Sequence, residues 1–281
     1  MVRDRRSVDR LASRARRIRV LCGALLVVSV VCGAAADAPD LSGTWAMIQF
    51  LPEIGDLPFV GETSITAVVG VLVHVEQTGS SVAMRDTYCH TDVLSNTTLI
   101  TSRVPDRVMV SLRPAPRTAT LSHRAGRWTL EQDPHLEIRG ARLENPADDP
   151  LPVGTWDSRV FDLDEDGNPG FTVPVSVFGI VSGDTYVVQR LAYAISSDDV
   201  EADGFDGSIE WSSEQVVIGG TDAILMTTFE QWHHPDPARH RFVMRRLDDG
   251  ATCDDVLTIF EEEREAYLQA FPPTATSTTD V

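Results

Sequence analysis

From Ile65 to Glu76 the chain alternates. Ile65, Ala67, Val69, Val71, Val73 and Val75 fall on one face of a pleated strand, and Thr66, His74 and Glu76 fall on the other. Shorter strand-like runs recur at Val108-Val110-Leu112, Thr185 to Ile195, Gln215 to Ile218, Ala223 to Phe229 and Arg241 to Leu247. Thr78-Gly79-Ser80, Arg124-Ala125-Gly126, Ser182-Gly183-Asp184 and Ile218-Gly219-Gly220 read as the turns between strands, because Gly, Asp and Ser supply turn conformations cheaply. Ten or more short strands with little helical period predict an all-β fold, an antiparallel barrel or sandwich.

One helix is legible, at 253–269. Thr252 stands as its cap, with Asp255 three residues on in capping-box spacing. Val256, Leu257, Phe260, Arg264, Tyr267 and Leu268 follow a 3.6-residue period, while Glu261, Glu262, Glu263 and Glu265 cover other surface. Such a helix flanks or plugs the barrel. The Thr- and Pro-rich 271–281 reads as a mobile tail.

The strand region divides by composition into a first half, 37–140, a Pro- and Asp-rich linker, 141–153, and a second half, 154–270, that includes the helix. Gly43-Thr44-Trp45 recurs as Gly154-Thr155-Trp156, and Val75-Glu76-Gln77 has an echo in Val187-Val188-Gln189. Two pseudo-repeated halves, within one barrel or as separate domains, are therefore open.

Charge changes the picture at the amino terminus. Residues 1–36 carry eight Arg, then an apolar run from Val20, then Ala34-Ala35-Ala36. This is the layout of an export signal cleaved after Ala36, with acylation at Cys32 or an uncleaved anchor as alternatives. Export places the protein in the periplasm or outside the cell, with no membrane span left after cleavage. The chain has 24 basic residues, all of them Arg, against 42 Asp and Glu, a formal net charge of −18. Without lysine there is no Walker-type phosphate loop, Schiff base or Ser–Lys dyad. The acidity argues against a nucleic-acid partner, since phosphate affinity needs cationic patches. After cleavage only Cys89 and Cys253 remain, and a pair in an exported chain is most simply one disulfide, with two buried thiols as the alternative.

Leu41-Ser42-Gly43-Thr44-Trp45 resembles the G-x-W opening of lipocalin-like β-barrels. The resemblance implies that Trp45 closes one barrel end and that an Arg of the last strand, Arg245 or Arg246 in FVMRRL, lies over it. We take Arg245 for that role and Trp156 for the corresponding structural Trp of the second half. The resemblance also places Cys253 where such barrels anchor a disulfide. It departs in length and in the duplicated GTW. The stretch DLDEDGNPGFT with YVVQR is similar to uncharacterised secreted β proteins of high-GC bacteria, which implies no activity.

Asp162, Asp164 and Asp166, followed by Gly167, form the most chemically specific feature. Alternate Asp residues in a tight turn aim carboxylates at one point, and the carbonyl of Asn168 adds an oxygen, so the loop suggests Ca2+. The twelfth position of an EF-hand loop is Val173, not Glu, so the site is EF-like at most, with Asp157 or Glu165 as further ligands. A solvated Asp-rich turn is the plain alternative. His233, His234, Asp236 and His240 invite a zinc reading, but Pro235 excludes a regular helix there and a hydrophilic loop is favoured.

The sequence thus supports three functional readings. The first is an exported, non-catalytic β-barrel holding a small apolar or amphipathic ligand in a cavity of several hundred Å³. The second is a calcium-stabilised structural or surface-interaction module. The third, ranked last, is a hydrolase of unknown substrate, because no nucleophile–base constellation is legible and no catalytic residue can be named.

Overall fold

The alternation along the long strands decides what lies inside the sheet and what lies outside it. In the computed structural model, which describes residues 37–57, 60–226 and 229–272, the elements in chain order are β1 (Gly43–Leu57), β2 (Gly61–Thr78), β3 (Ser81–Ser95), β4 (Ile100–Ser102), α1 (Asp106–Ser111), β5 (Arg117–Arg124), β6 (Arg127–Gln132), β7 (His135–Arg139), β8 (Phe171–Val177), β9 (Val181–Ser197), β10 (Gly204–Gly220), β11 (Gln231–His233), β12 (Arg241–Leu247) and α2 (Cys253–Ala270). The all-β class with a C-terminal helix is as the sequence predicts. The expected export signal at 1–36 and the tail from 273 onward lie outside the described residues.

Antiparallel ladders join β1 to β2, β2 to β3, β3 to β5, β5 to β6, β6 to β9, β9 to β10, β10 to β12, and β12 back to β1. Eight strands thus pair in sequence order around a circuit, giving a barrel-like sheet that draws on strands from both sides of 141–153. The others attach to it: β7 and β8 to the long β9, β4 to β8, and β11 to β1. On β1, Trp45, Met47 and Leu51 face the interior core, while Ala46, Ile48 and Phe50 face outward beneath α2. Burial on both faces is why residues 45–52 are all buried.

α2 starts at the expected Thr252–Asp255 capping box. It lies against the outer faces of β1, β2 and β3, with Tyr267 stacked on Phe50 at 4.3 Å between ring centroids. Gly70 permits the close approach: a Cβ there would stand 3.1 Å from the Phe260 ring and 3.4 Å from Val256. Cys253, at the start of the helix, is bonded to Cys89 with the two Cα atoms 5.3 Å apart. Cys89 sits at a β-bulge, where the β2–β3 register shifts between Gly70 and Val71. Before the bulge Val82, Met84 and Tyr88 face inward; after it Thr91 and Val93 do. The extra residue leaves Cys89 in the outer cluster under α2 and His90 edge-on to Phe260.

Several local expectations are corrected. Val108-Val110-Leu112 is not a strand: Asp106–Ser111 is α1, and the buried set is Val108, Met109 and Leu112, with Val110 exposed. That is a helical spacing, entered after Pro105, which the alternating valines concealed. Ala223–Met226 forms a 3-10 turn, because Asp222 takes the Ile224 N–H with its side chain. Ser182-Gly183-Asp184 lies within β9. The β8–β9 turn is Phe178-Gly179-Ile180, with Phe178 and Gly179 both at positive φ. Ile218-Gly219-Gly220 belongs to the end of β10, with an irregularity between Val217 and Gly219.

Candidate ligand-binding site

The interior has three storeys, and the lowest is solid. Trp45 is fully buried, edge-on to Phe205, which is edge-on to Phe242. Its indole N–H donates to the Leu41 carbonyl at 2.9 Å. Arg246, not Arg245, covers it. Trp45 and Arg246 are directly paired across the β1–β12 ladder, and the guanidinium lies 4.5 Å from the ring centroid. Arg246 also donates to the Ser42 carbonyl at 2.8 Å, and to those of Asp40 and Ala202. Arg245, one residue out of phase, faces the other way and pairs with Asp206 at 2.8 Å and with Glu263 of α2 at 2.9 Å. Trp156 has no comparable place. It lies in a turn at 80% exposure, so the second GTW is not a structural copy of the first.

Above this core lies a layer of buried charge. Arg117 holds Asp86 through two hydrogen bonds, of 2.7 and 3.0 Å, with both side chains 1% exposed. Tyr193 donates to the same carboxylate at 3.0 Å, and Arg117 also reaches Gln132. Beside it, Arg139 holds Glu137 at 2.8 Å and Gln189 at 3.2 Å, and Tyr88 donates to Glu137 at 2.6 Å. Burial alone would raise the Glu137 carboxyl, but the Arg139 charge and the hydrogen bonds win and hold it at about 2. Burial pushes the Tyr88 and Tyr193 hydroxyls up, so both stay protonated donors. Arg117 touches the sulfurs of Met47 and Met84 on the packed side; Tyr88, Arg139 and Gln189 face the storey above.

That upper storey is empty space. A chamber of about 290 Å³ is walled by Leu51, Val69, Val173, Val187, Phe171 and Trp211. It adjoins a wider space of about 490 Å³ bordered by Leu57, Ile100 and Phe178, and the two share Ile65, Val93, Val175, Val217 and Phe229. Val108 and Met109 of α1 reach the chamber wall from the side. Apart from Arg139, one charged side chain among the described residues lines it, Glu53. Glu53 makes no hydrogen bond or ion pair among the described residues, and burial alone pushes its carboxyl up to about 7. None of these polar residues was singled out from sequence. The signal was present, however: Asp86 is in phase with Met84 and Tyr88, and Glu53 with Trp45 to Leu51, so both are charges at inward positions.

The acidic loop lies elsewhere. Asp162, Asp164 and Asp166 bring carboxylate oxygens within 4.8 Å of one another, as the alternate spacing suggests, and Gly167 has the expected positive φ, +90°. The loop already holds a cation of its own. Arg107 of α1 donates to Asp164 and to Asp166, both at 2.9 Å, while Asp162 accepts the backbone N–H groups of Asp166 and Gly167. Asn168 donates its backbone N–H to Asp166 at 2.9 Å. Asp157 is engaged by Arg159 through 2.7 and 3.0 Å bonds and does not join the cluster. One acceptor is left over: Oδ1 of Asp164 is buried without a partner.

The histidine segment is a structural loop. His240 accepts the Trp211 indole N–H at one ring nitrogen, 3.1 Å, and contacts the His234 carbonyl with the other at 2.7 Å. His234 accepts the Asp236 N–H at 3.1 Å. Imidazoles engaged in this way are not arranged around a common ion. Among the described residues no helix is long and apolar enough to cross a membrane. In comparisons with protein-family models, curated proteins and solved structures, nothing matches this chain.

Proposed function

We propose that this protein is an exported, non-catalytic β-barrel that holds a small apolar or amphipathic molecule in the chamber above the buried ionic layer. The observation that carries the reading is the contrast within one interior: tight aromatic packing at one end and an apolar, open-mouthed space at the other. The eight-strand circuit in sequence order and the Arg246–Trp45 stack support the lipocalin-like reading. The Cys89–Cys253 disulfide favours an oxidising compartment. Titration with the neutral fluorophore N-phenyl-1-naphthylamine should give saturable enhancement, and Ala67→Trp, placed on the chamber wall, should weaken binding at least tenfold. Absence of saturable binding in the wild type overturns the reading.

A second reading, a calcium-stabilised loop, is favoured by the unpartnered buried oxygen of Asp164. Asp162, Asp164 and Asp166 would hold the ion, replacing or sharing the charge that Arg107 now supplies. At millimolar affinity, 10 mM calcium stabilises by about 1.4 kcal/mol. Melting should therefore shift upward relative to chelator, and more so in Arg107→Gln. Equal melting in calcium and chelator for both proteins removes this reading.

A further inference from the structure

The charges around the chamber do not cancel, and the imbalance has a sign. Arg139 is matched by Glu137 and Arg117 by Asp86, so the ionic layer beneath is neutral as a whole. Glu53 is left without a counter-ion. The group opposite it on the β1–β11 ladder is His233, whose ring lies 4.5 Å from that of Trp211. Burial and the nearby His240 hold His233 below its ordinary value, so above pH 7 it is neutral and offers Glu53 no charge. From β2, the neighbours facing the chamber are Ile65 and Ala67, which offer none either. An unpaired carboxylate in an apolar space is costly to ionise, and the cost is recovered when a cation enters with the ligand.

We propose that the chamber selects cationic amphiphiles, in particular alkylamines, with the aliphatic body against the valine and leucine walls and the ammonium group against Glu53. The inference rests on the chamber being a ligand site. A fatty carboxylate would meet an Arg139 already engaged by Glu137 and Gln189, and would add a second negative charge beside Glu53. Trp211 also lines the chamber and adds an aromatic side chain there. The strongly acidic composition favours the approach of cations and disfavours anions.

The test uses the full chain and three ligands with one chain length: decylamine, decanol and decanoate, each displacing N-phenyl-1-naphthylamine at pH 8. Decylamine should bind at least tenfold tighter than decanol, with decanoate weakest. Glu53→Gln should bring decylamine to within threefold of decanol. As an independent readout on the wild type, lowering the pH from 8 to 5.5 should weaken decylamine several-fold relative to decanol, because the amine stays charged while Glu53 takes up a proton. This series decides the matter if Glu53→Gln does not fold. Equal binding of all three, a preference for decanoate, or an amine preference that survives Glu53→Gln overturns the cationic selectivity while the chamber remains a ligand site. If the fluorophore itself does not bind, both fall together.

Discussion

At the end of the sheet around Trp45, the rings of Trp45, Phe205 and Phe242 meet edge to face, and Arg246 closes the gap to the chain before β1. At the end around Phe229, strands with the same alternation, from the same eight-strand circuit, surround space. Residue class does not separate them, because both ends are rich in valine, leucine and aromatic side chains. The difference is that the lower end has enough side-chain volume to fill it, and the buried ionic layer stops that packing from continuing upward. A charged layer inside a barrel adds little net stability, since desolvation offsets most of the attraction. It does fix where packing ends and the chamber begins.

The sharpest way to break the comparison is to remove the layer's central cation. Arg117→Met leaves Asp86 buried and unpaired, and unfolding in denaturant should show a loss of about 3–5 kcal/mol. The double variant Asp86→Leu/Arg117→Met should recover most of that loss, since two apolar side chains leave no orphaned charge. Next comes the same truncation at each end. Phe242→Ala at the packed end should cost about 3–5 kcal/mol. Phe229→Ala, which enlarges an existing space, should cost about 1 kcal/mol or less and show its effect in fluorophore affinity instead.

The two carboxylates make stability depend on pH, with opposite sign. Glu137 is held low in the fold, at about 2, so its contribution is present above its unfolded value near 4.5 and is lost as pH falls from there through 2. Glu53 is held high, at about 7, so ionising it destabilises the fold. That penalty is absent below pH 4.5, grows between 4.5 and 7, and is complete above 7, at about 2–3 kcal/mol. Glu53→Gln should therefore match the wild type at pH 4 and be more stable at pH 8, in melting curves recorded at both. A wild-type advantage at pH 8 would show that Glu53 has a partner in solution.

Of the eight circuit strands, β2, β9, β10 and β12 were legible because alternation is a local signal, while β1, β3, β5 and β6 were not read as strands. The long β2 and the capping box of α2 needed no knowledge of the rest of the chain. What failed locally was short: at Val108 to Leu112 the same apolar letters satisfy two periods, and only burial decides between them. The site was less legible for a different reason. Choosing between Arg245 and Arg246 requires the β1–β12 register, and a pairing across some 200 residues leaves no trace in either segment. The Asp loop was recognised as a cluster, but its resident cation, Arg107, lies 57 residues before Asp164. The chamber depends on volumes summed over many strands, which no single segment carries.

The disulfide has a consequence for how the ring closes. Ile48 and Val243, which pair in the closing ladder, are roughly 195 residues apart along the backbone, but roughly 50 through the Cys89–Cys253 link. With loop entropy growing as the logarithm of length, that shortcut lowers the entropic cost of closure by about 1 kcal/mol. The saving falls on the most distant pairing in a topology whose non-local contacts make folding slow. Oxidation before folding thus turns the pairing of β1 with β12 from a search across roughly 195 residues into one across a single small domain's length.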